Sequence, residues 1–153
     1  MKSWVRWAIS GTHDFMKKIP VTESALIIRT DFSDQTAWER LTALAREPDD
    51  PFIFNMEFLD DAGNGGATVE QLMRALPDDY PHSFIVLADR VAISEPDYPL
   101  LVVDLEEERG RQFRALAAQV ASIENNLSIA NMGFEEFADS VDETGVFRGL
   151  PEM

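Results

Sequence analysis

The chain has 153 residues, 45% of them apolar and 27% charged, with a net charge of −15 and no cysteine. This length and composition fit one globular domain able to build its own core. They exclude disulfides, thiolate metal sites and thiol nucleophiles, and make a reducing, cytoplasmic setting the expectation. Apolar runs are short, such as FIVLA at 84–88, far below the roughly 20 residues a membrane-spanning helix needs.

The charge is unevenly divided. Residues 1–20 carry Lys2, Arg6, Lys17 and Lys18 against Asp14 alone, a balance of +3, so the remainder carries −18. Beyond Lys18 there is no lysine, and nine arginines face 27 acids. The chain therefore reads as a basic N-terminal arm, 1–20, and a single acidic domain, 21–153. Within the arm, Trp4, Val5, Ala8 and Ile9 can share a helical face beside Lys2 and Arg6, a pattern suited to an acidic surface. Docking on its own acidic body is the first expectation, association with a partner or membrane surface the second, and disorder the third. The arm lacks the apolar core of a secretory signal.

Pro20 leads to ALIIRT at 25–30, a run of branched apolar residues expected to form a strand buried on both faces. DFSDQTAWERLTALARE then predicts a helix capped by Ser33 or Asp34, with Trp38, Leu41 and Ala45 inward and Pro48 closing the segment. FIFNMEF at 52–58 alternates apolar residues at 52, 54, 56 and 58 against Ile53 on the other face, a strand pattern. The loop DDAGNGGA follows, then TVEQLMRALP, in which Thr68 and Gln71 have capping-box spacing and Pro77 forbids continuation.

Further strands are predicted at 83–88, at 100–105 and, after a turn over 106–110, at 112–115, with an irregular connection containing EPDYP between the first two. Two C-terminal helices follow, one with Leu116, Val120, Ile123 and Leu127 on a stripe, the other with Phe134, Phe137, Ala138 and Val141. Their break falls at 130–133, where Asn131 is placed to cap the second helix. The fold expectation is α/β: a mixed sheet of about five strands covered by helices, parallel in its first half and antiparallel later, with a C-terminal helical pair.

The chain contains no phosphate-binding loop, dinucleotide fingerprint, nucleophile elbow or HExxH pair. Its two histidines, His13 and His82, leave little for a histidine-based zinc site or a catalytic triad. No cofactor is implied. The first candidate site comes from strand ends, because open α/β sheets place ligands beyond the carboxyl ends of parallel strands. Arg29, Asp31, Asp60, Asp61, Asp89 and Arg90 would share that rim, and its aspartates would suit a hard divalent cation. The competing reading is structural: Asp31 supporting the next helix, Asp60 and Asp61 in a solvated loop, and the arginines pairing with them. The second candidate is a polar corner of Asn125, Asn126 and Asn131, residues that favour caps and turns over helix interiors. Corner-building is its first expectation, and recognition of a partner or polar ligand its second.

Four segments resemble a known family: IIRTDFS at 27–33, LVVDL at 101–105, ENNLSIANM at 124–132 and FEEFA at 134–138. The similarity is to small acidic proteins of actinobacteria and related bacteria grouped as a domain of unknown function, and it spans residues 25–149. The pattern leads one to expect an acid at the position held here by Gly133, and the basic arm lies outside it. The resemblance implies one domain and no particular activity.

The functional expectation is a non-enzymatic bacterial protein-binding domain, of interaction or inhibitor type, offering an acidic face to a basic partner. Direct nucleic-acid binding is not expected, since the body's field repels phosphates. The alternative is a small divalent-metal-dependent enzyme or ligand-binding domain using the strand-end aspartates.

Overall fold

A computed structural model describes residues 18–47 and 51–149. Residues 1–17, most of the basic arm, lie outside the described residues, as does Pro48, the expected end of the first helix.

The first strand, β1 (Ala25–Arg29), is buried throughout, Ala25 and Ile27 facing one core and Leu26 and Ile28 the other. Helix α1 (Gln35–Arg46) starts where the Asp34 carboxylate accepts the Ala37 N–H at 3.0 Å, and it buries Ala37, Trp38, Leu41 and Ala45. Strand β2 (Met56–Leu59) begins later than the alternation predicts. The alternation itself is present, with Phe54 and Phe58 packed on the core and Ile53 72% exposed. However, Met56 pairs with Ala25, the first residue of β1, so the ladder with β1 does not extend to the residues before it.

Helix α2 (Val69–Ala75) carries the predicted capping box: the Thr68 hydroxyl accepts the Gln71 N–H at 3.1 Å, and the Gln71 side chain accepts the Thr68 N–H at 2.9 Å. Strand β3 (Phe84–Ala88) is again fully buried. The connection that follows contains a short helix, α3 (Arg90–Ser94), where irregular chain was expected. Its cap is Asp89, which accepts the Ala92 N–H at 3.1 Å. Strands β4 (Pro99–Asp104) and β5 (Gln112–Leu116) precede a 3-10 turn (Ala117–Gln119), then α4 (Val120–Ser128), α5 (Phe134–Ala138) and a two-residue strand, β6 (Val146–Phe147).

The six strands form one sheet in the order β2-β1-β3-β4-β5-β6. β1 lies parallel to β2 and β3, whereas β3–β4 and β4–β5 are antiparallel, which matches the expected mixed character. The additional strand β6 pairs parallel with β5 and was not anticipated, because two residues carry no readable period.

The two sheet faces are covered unequally. One packs α1, α3, α4 and α5 around Trp38, Phe84, Phe113, Phe134, Phe137 and Phe147. Phe113 meets Phe134 edge-on at 5.0 Å, and Phe137 meets Phe147 edge-on at 5.2 Å, the offset geometry that aromatic quadrupoles favour. The other face is covered by α2 through Leu72, Ala75 and Leu76, with Ile19 beside them. Ile19 is 3% exposed and donates its N–H to the Ala75 carbonyl at 2.9 Å, so residue 19 is part of the core at the end of α2.

Candidate functional site

The strand order runs outward from β1 to β2 and then returns to β3 on the other side, so the winding of the sheet switches direction between the parallel strands β1 and β3. That reversal is where α/β sheets open a crevice beyond the carboxyl ends of their strands. Here the crevice is filled. Arg29, the last residue of β1, is 3% exposed, and its guanidinium lies 4.4 Å from the Phe32 ring centroid and 4.9 Å from that of Trp38. It donates to the Asp31 carbonyl at 3.1 Å, the Gln35 side chain at 3.0 Å and the Asp60 carboxylate at 3.3 Å. A buried guanidinium needs such a full set of acceptors and ring faces to offset lost hydration. The β2–α2 loop closes over the same place: Gly66 adopts φ +74°, a conformation that favours glycine, and donates its N–H to the Thr30 carbonyl at 2.8 Å.

The rim aspartates are each engaged locally. Asp31 accepts from both the backbone and the hydroxyl of Ser33, and the hydroxyl bond leads in holding its carboxyl below the ordinary value. Arg90 and Arg29 add to that lowering through their charge. Asp60 pairs with Arg29, and Asp61 caps a 3-10 turn (Ala62–Asn64) by accepting the Gly63 N–H at 2.9 Å. Asp89, besides capping α3, takes a two-pronged bond from Arg114 at 2.9 and 2.7 Å. Arg114 lies on β5, two strands from β3, and no sequence spacing pointed to it. The parallel strands thus bring their ends to one edge, but among the described residues no three carboxylate or imidazole groups are placed to hold a metal ion. Arg90 makes no ion pair among the described residues.

The asparagines form a structural corner. Asn125 embraces the backbone of Ile53, donating to its carbonyl at 2.9 Å and accepting its N–H at 3.4 Å. Residue 53 is thereby fixed to α4 just ahead of β2. Asn126 is 7% exposed and donates to the Ser122 carbonyl at 2.9 Å, while its side-chain oxygen accepts from Asn131 at 2.8 Å. Asn131 therefore ties off α4, and the residue at the α5 N-cap is Gly133, which has no side chain to cap with. The Glu136 side chain compensates by accepting the Gly133 N–H at 3.0 Å.

Three features escaped the sequence reading. Asp142 accepts from Thr144, Val146 and Arg148 and so folds the turn into β6; the Thr144 hydroxyl bond leads in holding its carboxyl far below the usual carboxylate range. The second feature is an acidic edge on which the β4–β5 turn, with Glu106, Glu107 and Glu108 exposed, faces the start of α5. There Glu135 raises the Glu107 carboxyl by like-charge repulsion, ahead of slight desolvation and a bond to its protonated form. The runs EEE and FEE were visible in the sequence, but not their juxtaposition.

The third is a cleft of about 600 Å³ at the opposite end of the parallel strands, between α2 and the β4–β5 turn. Tyr80 and His82 lie in it with their rings edge-on at 5.1 Å. The His82 Nε2–H donates to the Thr22 carbonyl at 3.0 Å, and the Tyr80 hydroxyl accepts the Leu26 N–H at 3.3 Å. Burial pushes the Tyr80 hydroxyl up to about 12.

No curated protein matches this sequence. A family model described as a domain of unknown function, DUF6924, matches residues 24–150, which takes in the sheet, the helices and the corner of the described residues, and leaves residues 1–23 outside. Nothing more specific than that shared fold unit is implied, and on it the chain belongs to the DUF6924 family.

Proposed function

We propose that this domain is a non-enzymatic protein-binding module whose acidic edge docks on a basic partner surface. The observation that carries the reading is the crowding at Glu107. The charges that act on it are those of Glu135, Asp104 and Glu106, all acidic, and it forms no ion pair among the described residues. Exposed carboxylates left facing one another cost stability through repulsion, and an arriving lysine- or arginine-rich surface removes that cost. Arg111, paired with Glu108 at 3.1 Å and Asp139 at 2.9 Å, neutralises one side of the edge only. The same field repels phosphate backbones, which favours protein over nucleic acid.

The engaged strand-end aspartates add support, since the groups best suited to metal-assisted chemistry hold the fold together instead. A complex isolated from the native cell with the full chain as bait supplies the test. Its affinity should fall at least about tenfold from low to physiological salt, and E107K/E135K should weaken it by a similar factor. Affinity indifferent to salt and to the double reversal overturns the reading.

A further inference from the structure

We infer that the cleft between α2 and the β4–β5 turn is a binding site for a small organic anion, a carboxylate or a phosphate monoester with a short apolar body. Arginine partners are abundant in a body with 27 acids, and Arg29, Arg111, Arg114 and Arg148 all take one. Among the described residues Arg74 and Arg109 form no ion pair, and both line this cleft. They approach it from different elements, Arg74 from α2 and Arg109 from the β4–β5 turn. Each has an acid one helical or turn step away, Glu70 and Glu106, without closing an ion pair on it.

The second wall is held in place by its turn. Asp104 is 3% exposed and accepts the N–H groups of Glu106 at 2.9 Å and Glu108 at 2.8 Å, while Gly110, at φ +96°, donates to the Asp104 carbonyl. Arg109 spends one N–H on the Leu105 carbonyl at 3.0 Å, which fixes its stem and leaves its remaining donors uncommitted. In the same cleft, His82 is oriented by Thr22 and Tyr80. Its Nδ1 has no partner among the described residues and stands as an acceptor for a hydroxyl or amino group on the same ligand. Met73, Leu76 and Leu105 supply apolar wall. The volume suits a small ligand, and a neighbouring hollow of about 300 Å³ continues past His82 to Leu127 and Ser128.

The negative charge of the whole domain does not forbid this. Beyond about 8 Å it is screened at physiological ionic strength, whereas arginine contacts to an anion act at hydrogen-bond range. The Leu76 wall also adjoins Ile19, which bonds to Ala75.

Isotope-labelled full-length protein titrated at constant ionic strength, once with inorganic phosphate and once with butyrate, tests the site by amide and imidazole chemical shifts. Saturable shifts centred on His82, Ser83 and Leu105 are expected with at least one probe, and the probe that works tells phosphate from carboxylate. R74A and R109A should each weaken binding roughly tenfold, and R40A, which removes an arginine elsewhere that likewise forms no ion pair among the described residues, should leave it unchanged. Shifts that fail to saturate with both probes, or that persist in R74A/R109A protein of unchanged folded spectrum, overturn the assignment.

Discussion

The two ends of the parallel strands use similar residue types to opposite effect. At the carboxyl end, Arg29 is sealed between Phe32 and Trp38 and its donors are matched by Asp31, Gln35 and Asp60. At the amino end, Tyr80 and His82 are fixed by the backbone of the β1 strand and the residues before it, yet the cleft they line stays open and its arginines form no ion pair among the described residues. Open α/β sheets ordinarily keep the first place for ligands. Here a cation spent on internal contacts closes it, so charged residues at a strand end do not by themselves make a site; what matters is whether their partners lie within the chain.

The sharpest way to break this comparison is at Arg29. R29M keeps the apolar stem but loses the ion pair, the hydrogen bonds and both ring contacts, and should cost on the order of 3 kcal/mol in urea unfolding. If R29M were as stable as the parent, the carboxyl end would not be locked by that guanidinium. The polar corner comes next. N126A removes two bonds of a buried side chain, one to the buried Ser122 carbonyl and one from the exposed Asn131 amide, and about 2 kcal/mol of destabilisation is expected. A loss below about 0.5 kcal/mol would show that water replaces it without penalty.

At the open end the expected effect is smaller and depends on pH. Y80F removes the acceptor for the Leu26 N–H and should cost about 1 kcal/mol at neutral pH. Because burial raises the Tyr80 hydroxyl from 10.0 to about 12, the folded state favours its protonated form. That contribution is complete below pH 10 and is lost as pH rises toward 12, so the parent should weaken over this window more steeply than Y80F. Parallel alkaline slopes for the two proteins would count against a buried hydroxyl.

The smallest effect is predicted at Gly133. G133D restores a capping side chain where the backbone is extended, at φ −91° and ψ 163°, but its Cβ would meet the Glu135 carboxylate at 2.6 Å and move that flexible group aside. Gain and loss should leave thermal stability within about 0.5 kcal/mol of the parent. A larger loss would mean that the position of Glu135 over Gly133 is part of the acidic edge.

Legibility followed the range of the interactions. Asp34 as cap, the Thr68–Gln71 box, the inward Trp38 and Leu41, and the doubly buried ALIIR strand are set by neighbours within about one helical turn or by strand period, and so were readable. The late start of β2, the short α3 and the two-residue β6 were not, since each depends on a partner far along the chain or is too short for a period to show. The same division holds at the sites. Arg29, Asp60, Asn125 and Asn126 were singled out as residues, and pairing of the strand-end arginines with Asp60 was one reading, but the contacts of Arg29 with Trp38, of Asn125 with Ile53 and of Asn126 with Ser122 were not.

From the sequence alone came the α/β class, the order of the main elements, the acidic body with its basic arm, and the family likeness. These rest on local propensity, apolar period and summed charge, which need no coordinates. The tertiary structure alone decided which charges are neutralised. Arg114 reaches Asp89 across the sheet and Arg29 reaches Asp60 across a strand pair, while Arg74 and Arg109 close no ion pair among the described residues. Pairing falls off within a few ångströms, and only the packed sheet brings residues distant in the chain to that range.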